Sequence, residues 1–561
     1  MNQKPSLWVT VPARAPAVVR KSADLLSRHW QRREGGQVTI SPAAWDGAAG
    51  TGGVRLAVSG DLPAEAFEIR ANAGGGVEIA GGDPRGVLYG VGKFLRTSQR
   101  LPDGTVRCTW QGRSVPAKPL RGIYFATHFH NYYHDGPTAA VADYVEDLAL
   151  WGTNALAVWF DMHHYNGIDD PAAQAMIRRL KEILSAGRRA GMQVGLVGLA
   201  NEAYANSPVE LRADWTAGHD GYHHEPGGHY HVELCPSKPG GVELTLRWFE
   251  EKLDAFADVR PDFIWLWPYD QGGCTCAACA PWGVNGFLRL AAPQAARYKA
   301  RVPDGKVILS TWYFDHFTDG EWNGLAEAFR TPPPGVDYVL ADDYGDRFPA
   351  YPRKHGAPGN LPMVNFPEIS MYNMGPWGGY GANPLPTHLH RIWESSRRLL
   401  SGGFPYSEGI FEDINKALCA QFYWQDSADP MAIVREYAAG EFSAEVADDV
   451  VRAVAIIERN HARNGYDGEP NTRCRLAHSE GAGEARSLLE TADRRLAETV
   501  RTGWRWRILL LRAIIDAELA AGDGQVTERC EEAFRELTRI YHAANAEGAV
   551  RPPTRQPARA T

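Results

Sequence analysis

Residues 261–273 read Pro-Asp-Phe-Ile-Trp-Leu-Trp-Pro-Tyr-Asp-Gln-Gly-Gly, a short apolar run that stops at a carboxylate. A parallel strand that is buried on both faces reads as such a near-continuous hydrophobic run. In barrels of parallel strands, the chemistry lies at the C-terminal face, where the strands end. Asp270, with Trp267 and Tyr269 before it and glycines after it, therefore marks a predicted active-site mouth. An acid beside indoles at this position is typical of sites that bind and cleave sugars.

The chain around this run alternates strand and helix patterns from residue 120 to about residue 425. Predicted strands occupy residues 121–127, 154–161, 192–200, 262–269, 306–314, 336–342, 361–367 and 403–407. Predicted helices lie between most of them, at residues 139–151, 171–190, 242–257, 286–300, 321–330 and 387–400. Eight strands with intervening helices over about 300 residues predict a (β/α)8 TIM barrel of ordinary size.

Two further regions flank the predicted barrel, which is placed at residues 119–427. Residues 1–118 predict a small N-terminal α/β accessory domain, with strands at 54–58, 66–70 and 76–80 and an amphipathic helix over 83–96. Residues 428–548 predict a C-terminal helical domain, with helices over 429–440, 443–463, 482–520 and 526–546. The tail at 549–561 is rich in Arg and Pro, which predicts disorder.

Composition and charge narrow the class of partner. The net charge of -8 and the absence of a long basic cluster argue against nucleic acid. No apolar stretch reaches the ~18 residues that span a membrane, and no apolar run follows a basic start, so a cytoplasmic protein is predicted. The 18 Trp and 22 Tyr supply rigid faces that suit carbohydrate stacking, although most Trp in a large barrel fill its core. A homo-oligomer remains open.

Three segments carry a resemblance to known glycoside hydrolases. They are Asp83–Gly90 (Asp-Pro-Arg-Gly-Val-Leu-Tyr-Gly), Leu120–Gly122 and Leu148–Ala155. The first resembles the accessory domain that precedes the barrel in family 20 β-N-acetylhexosaminidases and family 67 α-glucuronidases. The other two resemble the start of their barrel and its first helix with the second strand. The resemblance implies the same domain order and a glycoside hydrolase, without assigning a family.

One position departs from the family 20 pattern. In that family the fourth strand ends with adjacent Asp and Glu, of which Glu is the general acid and Asp steers the substrate acetamido group. In this chain Asp270 is followed by Gln271. An amide cannot deliver a proton, so the family 20 mechanism does not transfer intact.

Glycoside hydrolysis usually needs two carboxyl groups, one to protonate the leaving oxygen and one to act as nucleophile or base. Many barrel glycosidases place these groups after strands four and seven, which favours Asp270 with Glu368. Glu408, which ends the predicted eighth strand, would bind substrate hydroxyls or replace one of the pair. The alternative for each acid is a helix cap or a salt-bridged loop residue, and that alternative also applies to Asp315.

Further side chains near the strand ends are candidates for binding substrate. They are His128, His130, Asp161, His163, Glu202, Trp267, Tyr269, Gln271, Trp312, Tyr313, Asp342, Asp343, Trp377 and Tyr406. Arg121 and Arg347 could hold a uronate carboxylate through bidentate pairing, or could be structural. The aromatic residues could instead fill the core. The histidines show no HExxH or comparable spacing, so no catalytic metal is predicted.

Four cysteines form a separate candidate site. Cys274, Cys276 and Cys279 follow Asp270 closely, and Cys235 precedes the helix that leads into the fourth strand. Four thiolates would make a closed structural zinc site that holds the active-site loop. The alternative is four reduced cysteines packed in a loop.

The sequence therefore predicts a glycoside hydrolase, exo-acting on short oligosaccharides, because long loops on one barrel mouth favour a pocket over a cleft. Uronic-acid-containing glycosides are the leading substrate class, and a β-N-acetylhexosaminidase is the alternative. A non-catalytic carbohydrate-binding protein on a hydrolase barrel and a metal-dependent hydrolase also remain open. No cofactor is required for catalysis, and the stereochemical outcome depends on the separation of the two carboxyl groups.

Overall fold

The computed structural model describes residues 7–44, 52–71, 76–101, 105–127, 131–214, 232–269, 273–331, 335–342, 348–370, 382–461, 478–522 and 524–541, and the backbone of 463–464 and 475–476. The predicted disordered tail at 549–561 lies outside these residues.

The N-terminal region contains a six-stranded mixed sheet with two helices. In spatial order its strands are Val38–Ser41, Leu7–Thr10, Gly52–Val58, Val77–Gly81, Phe67–Ala71 and Gly112–Ser114. The first four are parallel, and the last two run antiparallel to their neighbours. Helices Ala17–Glu34 and Pro84–Thr97 accompany the sheet, and a small antiparallel pair joins Ser98–Arg100 to Val106–Cys108. The three strands and the helix that the sequence predicts here are confirmed.

The helix Pro84–Thr97 joins this region to the barrel. Asp83 caps it by accepting a hydrogen bond from the Gly86 backbone N–H at 2.8 Å. Gly92 lies against the first barrel helix, because a Cβ at this position would come within 1.8 Å of the Leu150 carbonyl oxygen. The glycine therefore permits a backbone contact that any side chain would block.

The central region is a closed barrel of eight parallel strands, as predicted. In order the strands are Leu120–Phe125, Ala155–Trp159, Gln193–Leu199, Phe263–Trp267, Lys306–Ser310, Tyr338–Asp342, Met363–Phe366 and Leu400–Gly403. Each pairs in parallel with the next, and the eighth pairs with the first. The barrel helices are Thr138–Leu150, Pro171–Arg189, Gly241–Ala255, Gly286–Arg301, Glu321–Ala328, Ala350–His355, Pro386–Ser396 and Asp413–Trp424.

The eighth strand differs from its predicted span of 403–407. It begins at Leu400, stops after Gly403, and resumes pairing with the first strand at Tyr406–Ser407. Pro405 lies in the gap, where its missing N–H removes a ladder hydrogen bond. Gly402 has a φ of +135°, and a Cβ there would lie 1.6 Å from the Leu120 carbonyl oxygen. Barrel closure at this strand therefore depends on glycine.

Aromatic rings fill the barrel interior. Trp265 and Trp267, two residues apart on the fourth strand, stack at 4.9 Å between ring centroids. Trp267 also lies 5.7 Å from Trp159 and 5.5 Å from Trp312. Side chains two residues apart on a strand share a face, so the alternation along the fourth strand directs these indoles inward. The interior is a packed core that ends in aromatic residues beneath the mouth.

The C-terminal region is helical, as predicted. Its helices are Pro430–Glu441, Ala447–Arg459, Ala482–Asp493, Glu498–Arg501, Trp504–Ala521 and Glu528–Ile540. The prediction of one helix over 482–520 is wrong, because Ala497 and Gly503 adopt extended backbone angles that break it. The prediction also missed the barrel helix Asp413–Trp424. None of the described helices is long and apolar enough to cross a membrane.

Ion pairs connect the three regions of the chain. The Arg121 guanidinium, at the start of the first barrel strand, donates to Glu65 of the N-terminal region at 2.7 Å. Lys93 of the N-terminal region donates to Glu436 of the C-terminal region at 2.6 Å. The predicted domain boundaries at 118 and 427 stay a prediction.

Candidate active site at the barrel mouth

Three of the predicted acids lie where strands six, seven and eight end. Asp342 is the last residue of the sixth strand and is 6% exposed. Glu368 follows the seventh strand and pairs in a parallel bridge with Tyr406, and Glu408 lies two residues beyond Tyr406. The Tyr406 ring belongs to the barrel interior, and residues two apart on an extended chain share a face. Glu408 therefore faces the mouth beside Glu368.

The carboxyl of Glu408 has a raised pKa. Burial raises the pKa of its carboxyl to about 7, and the nearby Glu412 carboxylate adds to the rise. The Tyr406 hydroxyl donates to its Oε1 at 2.6 Å, which acts in the opposite direction. A carboxyl with a pKa near neutrality holds its proton at the pH where a general acid must deliver it.

Glu412 has a different task, which is to hold the loop that carries Glu408. Its Oε1 accepts hydrogen bonds from the Ser370 and Ser407 hydroxyls at 2.8 and 2.7 Å. It also accepts from the backbone N–H groups of Glu408 and Gly409, each at 3.0 Å. These bonds join the ends of the seventh and eighth strands, so Glu368 and Glu408 are held in one frame.

The aromatic candidates divide by burial. Trp312 and Tyr313 are half-buried, and their rings lie 4.7 Å apart after the fifth strand. Trp267 is 3% exposed and has Trp265 stacked on it, so its role changes from a stacking surface to core support beneath the mouth. Tyr269 points outward, where its hydroxyl donates to Glu321 at 2.5 Å. It anchors the loop after the fourth strand and is not placed to touch substrate.

The second strand is followed by a buried chain of charges. The two ring nitrogens of His163 face Asp161 at 2.5 Å and Glu233, which is fully buried. Burial acts to lower the pKa of His163, but the two carboxylates hold it well above its usual value. The two carboxylates therefore favour the protonated ring, and His163 links the end of the second strand to the segment before Cys235.

Glu202 lies beside this chain and forms a second buried pair. Its Oε1 accepts from the Trp159 indole N–H at 2.7 Å, and its Oε2 accepts from Lys252 at 2.6 Å. Ligand atoms of Asp161, His163 and Glu202 lie within 4.8 Å of one another, a separation that one metal ion can bridge. Both ring nitrogens of His163 already face carboxylates, so the cluster is internally paired.

Glu233 and Lys252 were not predicted from the sequence. Glu233 ends a His-rich stretch, and Lys252 lies among apolar residues of the helix Gly241–Ala255, where its buried charge requires a partner. In the sequence, the only sign of this partner was the position of Lys252 in residues 244–253, Leu-Thr-Leu-Arg-Trp-Phe-Glu-Glu-Lys-Leu.

The surroundings of Arg121 and Asp315 show which of the predicted alternatives applies to each residue. Arg121 is 0% exposed and donates to the Gly152 and Lys118 carbonyls and to Glu65, at the end of the barrel opposite the mouth. These contacts favour the structural alternative for Arg121 over a role in holding a uronate. Asp315 accepts from the Glu321 backbone N–H at 2.6 Å, which is the capping alternative. Other candidates lie outside the described residues: His128, His130, Asp270, Gln271, Asp343, Arg347 and Trp377.

Comparisons with known proteins show the fold. No protein-family model and no curated protein matches the chain. The structure is similar to that of a family GH115 4-O-methyl-α-glucuronidase with specificity for decorated arabinogalactans (13% identity, TM-score 0.60, covering 98% of this chain and 78% of that one). It is also similar to a GH138 enzyme targeting pectin rhamnogalacturonan II (11%, 0.60, 96% and 88%). A GH20 β-N-acetylhexosaminidase from Streptomyces coelicolor A3(2) follows (14%, 0.51, 82% and 92%). The predicted resemblance to barrel glycoside hydrolases is confirmed at the level of the fold.

Proposed function

We propose that this protein is a glycoside hydrolase whose general acid is Glu408. The observation that carries the proposal is the location of two carboxyl groups at neighbouring strand ends of the mouth, one of which has a raised pKa. Burial raises the pKa of Glu408 to about 7, while Glu368 on the neighbouring strand end accepts a backbone N–H from Ser370 at 3.0 Å. Acid-assisted glycoside cleavage uses two carboxyl groups, of which the general acid has a raised pKa.

In the proposed reaction, the Glu408 proton moves to the glycosidic oxygen as the bond between that oxygen and the anomeric carbon breaks. Glu368 either attacks the anomeric carbon or takes a proton from the water that does so. In the first route, water then releases the sugar from Glu368 and gives a proton to Glu408. In the second route, the proton from the attacking water stays on Glu368. Asp342, the last residue of the sixth strand, and Asp270, which the sequence places after the fourth strand, are the alternatives to Glu368.

The proposed substrate is the terminal sugar of a short oligosaccharide, and uronic-acid glycosides are tested first. The GH115 and GH138 similarities support this order, because one of those proteins is named as a glucuronidase and the other as acting on pectin. A β-N-acetylhexosaminide is the alternative, supported by the GH20 similarity and weakened by Gln271. Half-buried Trp312 offers a ring face for the sugar.

The test is release of sugar from a panel of 4-nitrophenyl glycosides and reduced uronide oligosaccharides. The purified wild-type chain is compared with Glu408→Gln, Glu368→Gln and Glu243→Gln, the last an exposed carboxyl on a barrel helix. We expect turnover of at least one substrate class, at least a roughly hundredfold loss in the first two variants and no change in the third.

Three results would contradict the proposal. Binding without release of any sugar would favour a carbohydrate-binding protein. Loss of activity in chelator, restored by a divalent ion, would favour a metal-dependent hydrolase. Full activity of Glu408→Gln on a substrate with a poor leaving group would remove this residue as the acid.

A further inference from the structure

The four cysteines after the third and fourth strands come together as one cluster. The Cys235 sulfur lies 3.6 Å from that of Cys274 and 3.8 Å from those of Cys276 and Cys279. All four sulfurs lie within 4.8 Å of one another. We propose that they bind a single structural zinc ion, which lies outside the sugar site and takes no part in the hydrolysis.

The sulfur separations match tetrahedral coordination. A zinc–sulfur bond of ~2.3 Å implies about 3.8 Å between sulfurs at the corners of a tetrahedron. A disulfide would bring two sulfurs to ~2.0 Å, and these contacts are far longer. An iron–sulfur cluster distributes its thiolates over several iron atoms, whereas these four converge on one point. One ion with four thiolate ligands is therefore the arrangement that the geometry fits.

Polar groups around the sulfurs suit thiolates. The Asp214 backbone N–H donates to the Cys274 sulfur at 3.4 Å, and the Ser237 hydroxyl lies 2.9 Å from the Cys235 sulfur and 3.2 Å from that of Cys276. The Lys238 ammonium is nearby, donating to Asp214 Oδ1 at 3.0 Å. Such donors offset the negative charge that four thiolates leave around a divalent ion.

The zinc would join two segments that are distant in sequence. Cys235 lies two residues after Glu233, the partner of His163, and Cys274–Cys279 follow the fourth strand. Asn201 already bridges these segments, because its amide donates to the carbonyls of Leu234 at 3.1 Å and Gly273 at 3.0 Å. The ion therefore holds the walls on the third- and fourth-strand side of the mouth at fixed separation.

The first experiment measures metal by mass spectrometry on the full chain, purified without a metal-affinity tag. We expect about one equivalent of zinc in the wild type and in Cys108→Ser, a half-buried thiol like Cys276 but remote from the cluster. Cys235→Ser/Cys276→Ser should retain less than about a fifth of an equivalent and melt at lower temperature. Less than a tenth of an equivalent in zinc-replete wild type, or equal zinc in the double variant, would overturn the proposal.

A second measurement covers the case in which the double variant does not fold. Wild type is stripped of metal under reducing conditions and titrated with Co²⁺ as the probe. Tetrahedral cobalt d–d bands with thiolate charge transfer, saturating at one equivalent and displaced by Zn²⁺, are expected. Octahedral cobalt spectra, or stoichiometric iron in the isolated protein, would refute a zinc site. Both readouts are independent of sugar release, so they stand or fall apart from the proposed activity.

Discussion

Replacing Glu408 with glutamine should remove activity and stabilise the fold at the same time. In the unfolded chain this carboxyl ionises near its ordinary pKa of 4.5, whereas in the folded protein burial holds its pKa at about 7. Above pH 7 the folded state therefore contains a charge that it solvates poorly. Glutamine has the shape of the protonated acid, and its amide oxygen can still accept the Tyr406 hydroxyl.

The size of this effect follows from linkage. Each pKa unit corresponds to about 1.4 kcal/mol, so the raised pKa costs at most about 3 kcal/mol above pH 7, and nearer 2 kcal/mol because the side chain is partly exposed. The sign is fixed: the penalty is absent below pH 4.5, grows as the unfolded chain ionises first, and is complete above pH 7. A chain of 561 residues unfolds with an entropy of about 1.2 kcal/mol/K, so the melting temperature should rise by about 2 °C at pH 8.5 and remain unchanged at pH 4.5.

The assay is calorimetric melting of wild type and Glu408→Gln at several pH values, alongside initial rates on the best substrate of the panel. Glu412→Gln is the matched control, because its carboxylate accepts hydrogen bonds from two hydroxyls and two backbone N–H groups. That variant should lose stability at every pH. A melting difference between wild type and Glu408→Gln that does not change with pH would show that the pKa of Glu408 is not raised.

Three further predictions concern the barrel. Glu65→Gln should lower the free energy of unfolding in urea by about 3 kcal/mol, because it leaves the buried Arg121 charge without a carboxylate; Arg121→Met in the same chain should recover part of the loss. Gly402→Ala should cost at least about 3 kcal/mol in the same assay, since its Cβ would collide with the Leu120 carbonyl, whereas Gly320→Ala, which meets no atom within 4 Å, should cost ~1 kcal/mol. Trp312→Ala should raise KM roughly tenfold with little change in kcat, and Trp312→Phe should restore it; an unchanged KM would show that no sugar stacks there.

The barrel strands could be predicted within a few residues because most of them are short, mainly apolar runs. The fourth is the clearest, and its observed span, Phe263–Trp267, lies inside the predicted one. The eighth strand was harder, since Gly402 and Pro405 resemble a loop in sequence while the barrel closes through them. The break at Gly503 was missed because the apolar residues on both sides keep helical spacing.

The site was predictable only where its groups end strands. Glu368 and Glu408 belong to that class, since strand ends converge at one face. The His163–Glu233 pair joins residues 70 positions apart, and the Glu202–Lys252 pair joins residues 50 apart. No local pattern encodes which distant charge a buried carboxylate meets. Trp267 illustrates the same limit, because its place at a strand end did not reveal that Trp265 lies stacked on it.

The order in which the ribosome makes the chain favours the contact between Arg121 and Glu65. Glu65 leaves the ribosome before Arg121, so the N-terminal sheet can present its carboxylate to the first barrel strand as that strand emerges. A barrel produced without the N-terminal region would bury the Arg121 guanidinium, at the end opposite the mouth, without its carboxylate partner. Glu65 of the N-terminal region thus supplies the carboxylate that balances the charge of Arg121 in the barrel. Replacing either region by that of a distant relative would therefore keep this contact only if the new protein also carried both charges.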